Sequence, residues 1–330
     1  MKKIICILIV TAALLNSCAA QYDNSSYFAL DTFITLNIPE KSDVDVYSII
    51  KRYESLLSKT DGNSEIYKMN ESPEYEASDE VTALLKYALE ISEKTCGAFD
   101  ITCGELMSLW DFKKENPSLP SEDEIKKALF YTGYKNLAFD GNKIKKDENI
   151  KLDLGGIAKG YIAEKCVEYL HENEVTSGFL NFGGNIAIVG EKENGKGWSV
   201  GIKDPLNTSS TVGNIILSDG YVSVSGDYER YFEYEGKKYH HIIDTKTGYP
   251  AETDIISTAV ISKDGTLADA LSTALFVMGL ERSLEFYNEK TYDFEAVLIS
   301  KNGEIYITDG IKDRFTLTSN DYILKTGDEK

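Results

Sequence analysis

Apolar and polar positions alternate along YFALDTFITLNI (27–38), which predicts a strand. The period then changes. Val46, Ile49, Ile50, Tyr53, Leu56 and Leu57 recur at helical spacing behind Ser42, which predicts a helix with Ser42 as its cap. Ser78 opens a second helix through Leu84, Leu85, Ala88 and Ile91, stopped by Gly97. Ser121-x-x-Glu124 has the form of a capping box and predicts a short third helix. Short strands are expected near 136–139 and 143–146, around a turn at Asn142. IKLDL (150–154) predicts a strand, Gly155-Gly156 a turn, and the next segment a helix to about Asn173. FLNF (179–182) and NIAIVG (185–190) read as strands. Beyond residue 198 the pattern is mostly β: WSVGI, NIILS, YVSVSG and a hairpin at Glu235-Gly236. A very apolar helix covers about 266–289. EAVLIS and EIYIT flank Asn302-Gly303, a strong hairpin signal. Helices and strands do not alternate strictly, so the predicted class is α+β, with helices packed on largely antiparallel sheets. We expect a single compact unit, containing two intimately associated α/β subregions.

The N-terminus has a different pattern. Lys2 and Lys3 precede an apolar run from Ile4 to Leu15 that is too short to span a bilayer comfortably. A basic start and a short apolar stretch read as a secretory signal. Leu15-Asn16-Ser17-Cys18 resembles a bacterial lipobox, so residues 1–17 are expected to be cleaved and Cys18 lipidated. The alternative is a plain signal cut near Ala19 or Ala20. The polar stretch 18–26 then reads as a tether, 27–325 as the folded domain and 326–330 as a tail. A lipidated Cys18 would anchor the protein to the membrane, and the expected place is the periplasmic face of the inner membrane. Without Cys6 and Cys18, three cysteines remain: Cys96, Cys103 and Cys166. They form no C-x-x-C pair for zinc or redox work. Cys96 and Cys103 could pair in an oxidising compartment, but buried free thiols are the preferred reading.

Composition narrows the function. The chain of 330 residues is 42% hydrophobic, enough for a large core, and this excludes disordered and disulfide-scaffold classes. Its formal charge of −19 argues against a basic nucleic-acid-binding face, so no nucleic-acid partner is expected. A phosphate-bearing ligand would need a local device: backbone N–H groups, a lysine or a metal ion.

Such devices are present. In DLGGIAKGYIAEK (153–165) a double glycine opens a helix whose free N–H groups suit a phosphate, with Lys159 in the first turns. A tight turn with no ligand is the plainer reading. In TLADALSTALFVMG (266–279), Asp269 and Thr273 are i, i+4 neighbours on one helix face. A carboxylate and a hydroxyl suit Mg²⁺, although a carboxylate bonded to a nearby turn is the plainer alternative. KYHHIIDTKTGYP (238–250) holds adjacent His240 and His241, which face opposite sides of a strand, so one at most faces a site and the other is expected at the surface. His171 reads as a surface residue. Asp227 and Arg230 flank a turn in SVSGDYERYF, where they are as suited to pairing with each other as to touching a ligand.

Taken together, ALDTFITL, SEIYKMN, GAFDIT, DLGGIAKGY, NFGGN, SGDYERYF, HIIDTKTGYP and ADALSTALFVMG resemble, in this order, the motifs of the ApbE family of bacterial flavin transferases. The resemblance implies an enzyme that uses Mg²⁺ and FAD, joins FMN to a threonine of an acceptor protein through a phosphoester, and releases AMP. It implies acceptor subunits of membrane redox complexes as partners. By position, Asp269 and Thr273 match the metal-binding side chains, and Gly156 the residue that offers the metal its carbonyl. Asp153, Lys159, Ala98, Phe99 and Asp100 match FAD-contacting positions. His241 matches the site histidine, and we take His241 and Asp269 as the catalytic candidates. Leu30 matches a further FAD-contacting position, where a methionine is common. Thr60 stands where many transferases have a tyrosine, and is expected near the FAD. A smaller side chain there would admit water, so an FAD pyrophosphohydrolase giving FMN and AMP is the alternative. A flavin-binding lipoprotein without turnover, or a redox flavoprotein, would be different classes of function.

Overall fold

A computed structural model describes residues 22–114 and 117–326. The signal segment and Cys18 lie outside them. Nine strands form the central sheet and lie side by side in chain order: Tyr22–Ala29, Thr32–Pro39, Gly178–Asn181, Ile186–Val189, Gly220–Gly226, Ile255–Ser262, Glu295–Ser300, Glu304–Ile307 and Ile323–Thr326. Neighbours are antiparallel except the last pair, which is parallel. The helices are α1 (Val46–Leu57), α2 (Glu65–Asn70), α3 (Asp79–Lys94), α4 (Gly104–Trp110), α5 (Glu122–Phe130), α6 (Ala158–Glu172) and α7 (Gly265–Asn288). Helix α7 packs on Gly220–Gly226 and Ile255–Ser262, and α6 packs on α7. The larger core lies on this side of the sheet. The other side is covered by a small sheet of Trp198–Lys203, Thr211–Leu217 and Phe315–Leu317, which encloses a second core. The strand Ile255–Ser262 is buried at every position because both its faces are covered, which is why IISTAVIS shows no alternation. The fold is thus α+β, as the patterning implies. Among the described residues no helix is long and apolar enough to cross a membrane.

Several boundaries differ from expectation. The strand expected over 27–38 is a hairpin. Its first strand begins at Tyr22, inside the stretch read as tether, and the chain reverses at Leu30 and Asp31. The period-2 pattern continues through the turn, so it cannot reveal a two-residue reversal. The cap of α1 is Asp45, whose side chain accepts from the Ser48 N–H, not Ser42. IKLDL forms only an isolated bridge between Lys151 and Cys103, because Asn70 brackets the Leu152 backbone with its side-chain amide. The apolar helix α7 is broken at Gly279 (φ 76°), and Asp254 accepts from the Leu280 N–H as the helix restarts. Thr326, read as the start of a tail, ends the last strand. Ser78 and the Ser121–Glu124 box cap their helices as the sequence indicates.

One close approach ties the helical layer together. A methyl group on Gly160 of α6 would lie 2.1 Å from the Gly265 carbonyl oxygen and 2.7 Å from Asp269 Cβ. Gly160→Ala should therefore force α6 and α7 apart and lower stability by about 1–3 kcal/mol in urea unfolding. Gly62→Ala, where a methyl meets nothing nearer than Tyr67 Cε1 at 4.0 Å, should shift stability by no more than about 0.5 kcal/mol.

Candidate active site

The helix crossing positions Asp269. This residue is 4% exposed, and its Oδ2 accepts from the Gly160 N–H at 2.9 Å. The carboxylate of one helix thus caps the first turn of another, at the positive end of its dipole. Its other oxygen receives no hydrogen bond from the described residues.

Thr273 follows one turn later. A methyl on Gly156 would lie 3.4 Å from Thr273 Oγ1 and 3.3 Å from the Phe99 ring, so Gly156, Phe99 and Thr273 meet at one point. Ser225, on the sheet below, lies 3.4 Å from Thr273 Oγ1 and 2.8 Å from Ser272 Oγ. These donors fit a small hard cation: one carboxylate oxygen that receives no hydrogen bond from the described residues, a hydroxyl, and the backbone of Gly156 close to that hydroxyl. Among the described residues no three His, Cys, Asp or Glu side chains group together. A cation here would rest on this mixed oxygen set, with water or substrate completing its shell.

Lys159, half-buried at the start of α6, donates to Asn185 Oδ1 at 3.1 Å, and Asn185 donates to Ser223 Oγ at 3.1 Å. Beside it stands Glu229. Crowding by protein atoms pushes the Glu229 carboxyl up, while Lys159, Lys203 and Arg230 pull it back down and Asp269 adds to the rise. His241 lies close by. Its Nδ1 faces the Arg230 carbonyl at 3.2 Å, and its backbone N–H donates to the same oxygen at 3.0 Å. With Nδ1–H donating, Nε2 carries the lone pair. Burial lowers the His241 pKa to about 4, reinforced by Arg230 and His240. The ring is therefore a neutral base at neutral pH. His240 is not at the surface as expected. It is buried, with Nε2 against the Ala251 carbonyl and Nδ1 accepting from the Ile242 N–H. The strand ends at His240, so the opposite face belongs to the core, not to solvent. His171 is exposed.

Other candidate residues brace the site. Asp153 accepts from Lys59 Nζ at 2.6 Å and from the Gly155 N–H at 2.7 Å. Ala98, Phe99 and Asp100 are buried, and the Asp100 carboxylate turns inward to Thr102 and the Tyr134 N–H. Thr60 is exposed and bonds to Ser58 beside Lys59. The Leu30 N–H donates to Glu54 at the hairpin turn. Two open readings are narrowed. Asp227 pairs with Lys238 at 3.0 Å, not with Arg230. Of the amides opening α6, those of Ile157 and Ala158 bond to the Leu154 carbonyl and that of Gly160 to Asp269, while those of Gly156 and Lys159 have no hydrogen-bond partner among the described residues. The cysteines are free; Cys166 is buried but Cys96 is exposed. Sequence reasoning passed over Lys59, Asn185, Ser223, Ser225 and Glu229. Asn185 ends the NFGGN motif and Ser225 opens SGDYER, so position within a glycine-rich motif was the available signal.

His241 makes a pH prediction. The unfolded chain binds a proton on this ring as pH falls through about 6.5, but the fold accepts it only near 4. Stability is therefore complete above about pH 6.5 and is lost as pH falls through this window. His240 shifts in the same direction. In NMR titration the His241 ring should still be neutral at about pH 5.5, and His241→Gln should flatten part of the decline in urea stability. A His241 ring that titrates near 6.5 would refute the assignment.

Comparison with known proteins adds the family. The ApbE family profile matches residues 30–298. An FAD:protein FMN transferase of Klebsiella pneumoniae is 31% identical over 284 residues, covering 84% of this chain and 88% of the relative. One of Treponema pallidum is 32% identical, covering 85% and 83%. The crystal structure of an ApbE protein from Thermotoga maritima superposes with a TM-score of 0.81 at 36% identity, covering 86% of this chain and 96% of that one. The apo Pseudomonas stutzeri flavinyl transferase ApbE gives 0.75 at 27% identity, covering 86% and 92%. A buried carboxylate one helical turn from a hydroxyl, set against a glycine turn, with a family profile spanning most of the sequence, leads to one conclusion: this chain belongs to the ApbE family.

Proposed function

We propose that the protein is an Mg²⁺-dependent FAD:protein FMN transferase that joins FMN to a threonine hydroxyl of an acceptor protein and releases AMP. The observation that carries this reading is the convergence of Asp269, Thr273 and the Gly156 turn beside Lys159 and a neutral His241. Asp269, Thr273 and the Gly156 carbonyl would hold the ion, which, when bound, supplies charge neutralisation to the FAD diphosphate. Lys159 places a fixed positive charge at the same diphosphate. His241 Nε2 accepts the proton of the attacking hydroxyl. The new bond joins the threonine oxygen to the FMN phosphorus, the bridging P–O bond breaks, and AMP leaves with the bonding electrons. Positioning and charge stabilisation by these residues supply most of the acceleration. Cys18 carries the lipid in this reading and holds the enzyme at the periplasmic face of the inner membrane, where the redox subunits it modifies lie.

The test combines the protein with FAD, Mg²⁺ and the extracytoplasmic domain of a membrane redox subunit. Mass spectrometry should find FMN on a threonine. Asp269→Ala should cut the labelling rate by at least about 100-fold, and unchanged labelling would remove Asp269 from the mechanism. The exposed Thr60 supports a second activity, hydrolysis of FAD by water when no acceptor is present. FMN and AMP should then appear without acceptor and be suppressed by Thr60→Tyr. FAD that stays intact under both conditions would leave a flavin-binding protein without turnover.

A further inference from the structure

The first hairpin has an outer face that the fold does not need to be apolar. Its outward cross-strand pairs are Asn24 with Asn37, Ser26 with Thr35, and Phe28 with Phe33. The first two are polar: Asn24, Ser26 and Thr35 are exposed and Asn37 is half-buried. The pair next to the turn is aromatic, and Phe28 and Phe33 remain 62% and 72% exposed with their rings edge to face at 5.5 Å. The turn beyond them is Leu30-Asp31, both in the left-handed region at φ 54° and 58°. A leucine there is strained, and it is held by its N–H bond to Glu54 and by packing of its side chain on the core. The aromatic tip is thus fixed at a defined place.

That place adjoins the candidate site through Glu229 and Arg230. Phe28 and Asp31 line a cleft of about 430 Å³ together with Phe112, Lys113, Glu229, Arg230 and Tyr231. Arg230 is the residue whose carbonyl holds His241, so one wall of the cleft is continuous with the candidate base. Tyr231 is itself 45% exposed.

We propose that the Phe28–Phe33 tip and this cleft are the docking surface for the acceptor protein, and take up apolar side chains flanking its target hydroxyl residue. The inference rests on the transferase reading. A transferase whose substrate is a protein needs a recognition surface beside its base, and exposed, rigid aromatic side chains are the usual anchors of such surfaces.

Two experiments test the proposal with the extracytoplasmic domain of a membrane redox subunit as probe. The double variant Phe28→Ser/Phe33→Ser should bind FAD as the parent does and unfold at the same midpoint, while KM for the acceptor rises by at least about tenfold with kcat nearly unchanged. An unchanged acceptor KM overturns the proposal. So does a loss of FAD affinity by the same factor, which would put the flavin ring on this surface. Separately, Phe33→p-benzoylphenylalanine should photo-crosslink to the acceptor within a few residues of the labelled threonine. Labelling of an acceptor that does not crosslink overturns docking here and leaves the transferase reading standing. Crosslinking beside the threonine of an acceptor the parent protein never labels supports docking and overturns the transferase reading. An acceptor neither labelled nor crosslinked counts against both.

Discussion

The site depends on a single contact between helices, the hydrogen bond from the Gly160 N–H to the Asp269 carboxylate. A buried carboxylate is costly unless something stabilises its charge. Here the charge lies at the positive end of α6 and accepts one of the amides that the start of that helix leaves unpaired. The arrangement requires the backbones of α6 and α7 to approach more closely than any side chain permits, which is why both Gly160 and Gly265 stand at the crossing. Once they are in contact the remaining geometry follows. Gly156 and Lys159 are carried by the start of α6, Thr273 lies one turn beyond Asp269, Ser223 and Ser225 are presented by a strand on which α7 rests, and Asn185 by the turn before Ile186–Val189.

Electrostatics sharpen the same picture. The chain is strongly acidic at −19, and most of its lysines are paired with carboxylates or lie at the surface. Yet Lys159, Lys203 and Arg230 all bear on one carboxylate, Glu229, and none of the three forms an ion pair among the described residues. In an acidic protein, three cations kept out of ion pairs around one carboxylate offset the global charge locally. An anionic ligand entering there meets attraction only over the last few ångströms, within the range that salt does not screen.

Much of this was legible in the sequence. The α+β class followed from the change of period along the chain, and the helix caps at Ser78 and Ser121 from local chemistry alone. Asp269 and Thr273 could be set on one helix face because a four-residue spacing is unambiguous. What stayed hidden depends on partners distant in sequence. That Gly160 meets Gly265 rather than a ligand, that Asp45 and not Ser42 caps α1, and that His240 is core while His241 is site are decided by which element lies opposite, and periodicity carries no information on that. The reversal at Leu30-Asp31 was hidden for another reason: neither residue is a usual former of that turn, and tertiary contacts to Glu54 and the core hold it there.

The start of α6 is only partly closed to an anion. A glycine turn before a helix suggests amides offered to a phosphate, and here those of Gly155, Ile157, Ala158 and Gly160 are bonded to Asp153, Leu154 and Asp269. The N–H groups of Gly156 and Lys159 have no hydrogen-bond partner among the described residues. In the proposed transferase a diphosphate would therefore meet two backbone N–H groups and the Lys159 ammonium at this turn, with Asp269 and Thr273 as the oxygen donors for a cation. The bond between Gly160 and Asp269 thus does two things at once. It satisfies one amide of the helix start, and it leaves one Asp269 oxygen without a hydrogen bond from the described residues.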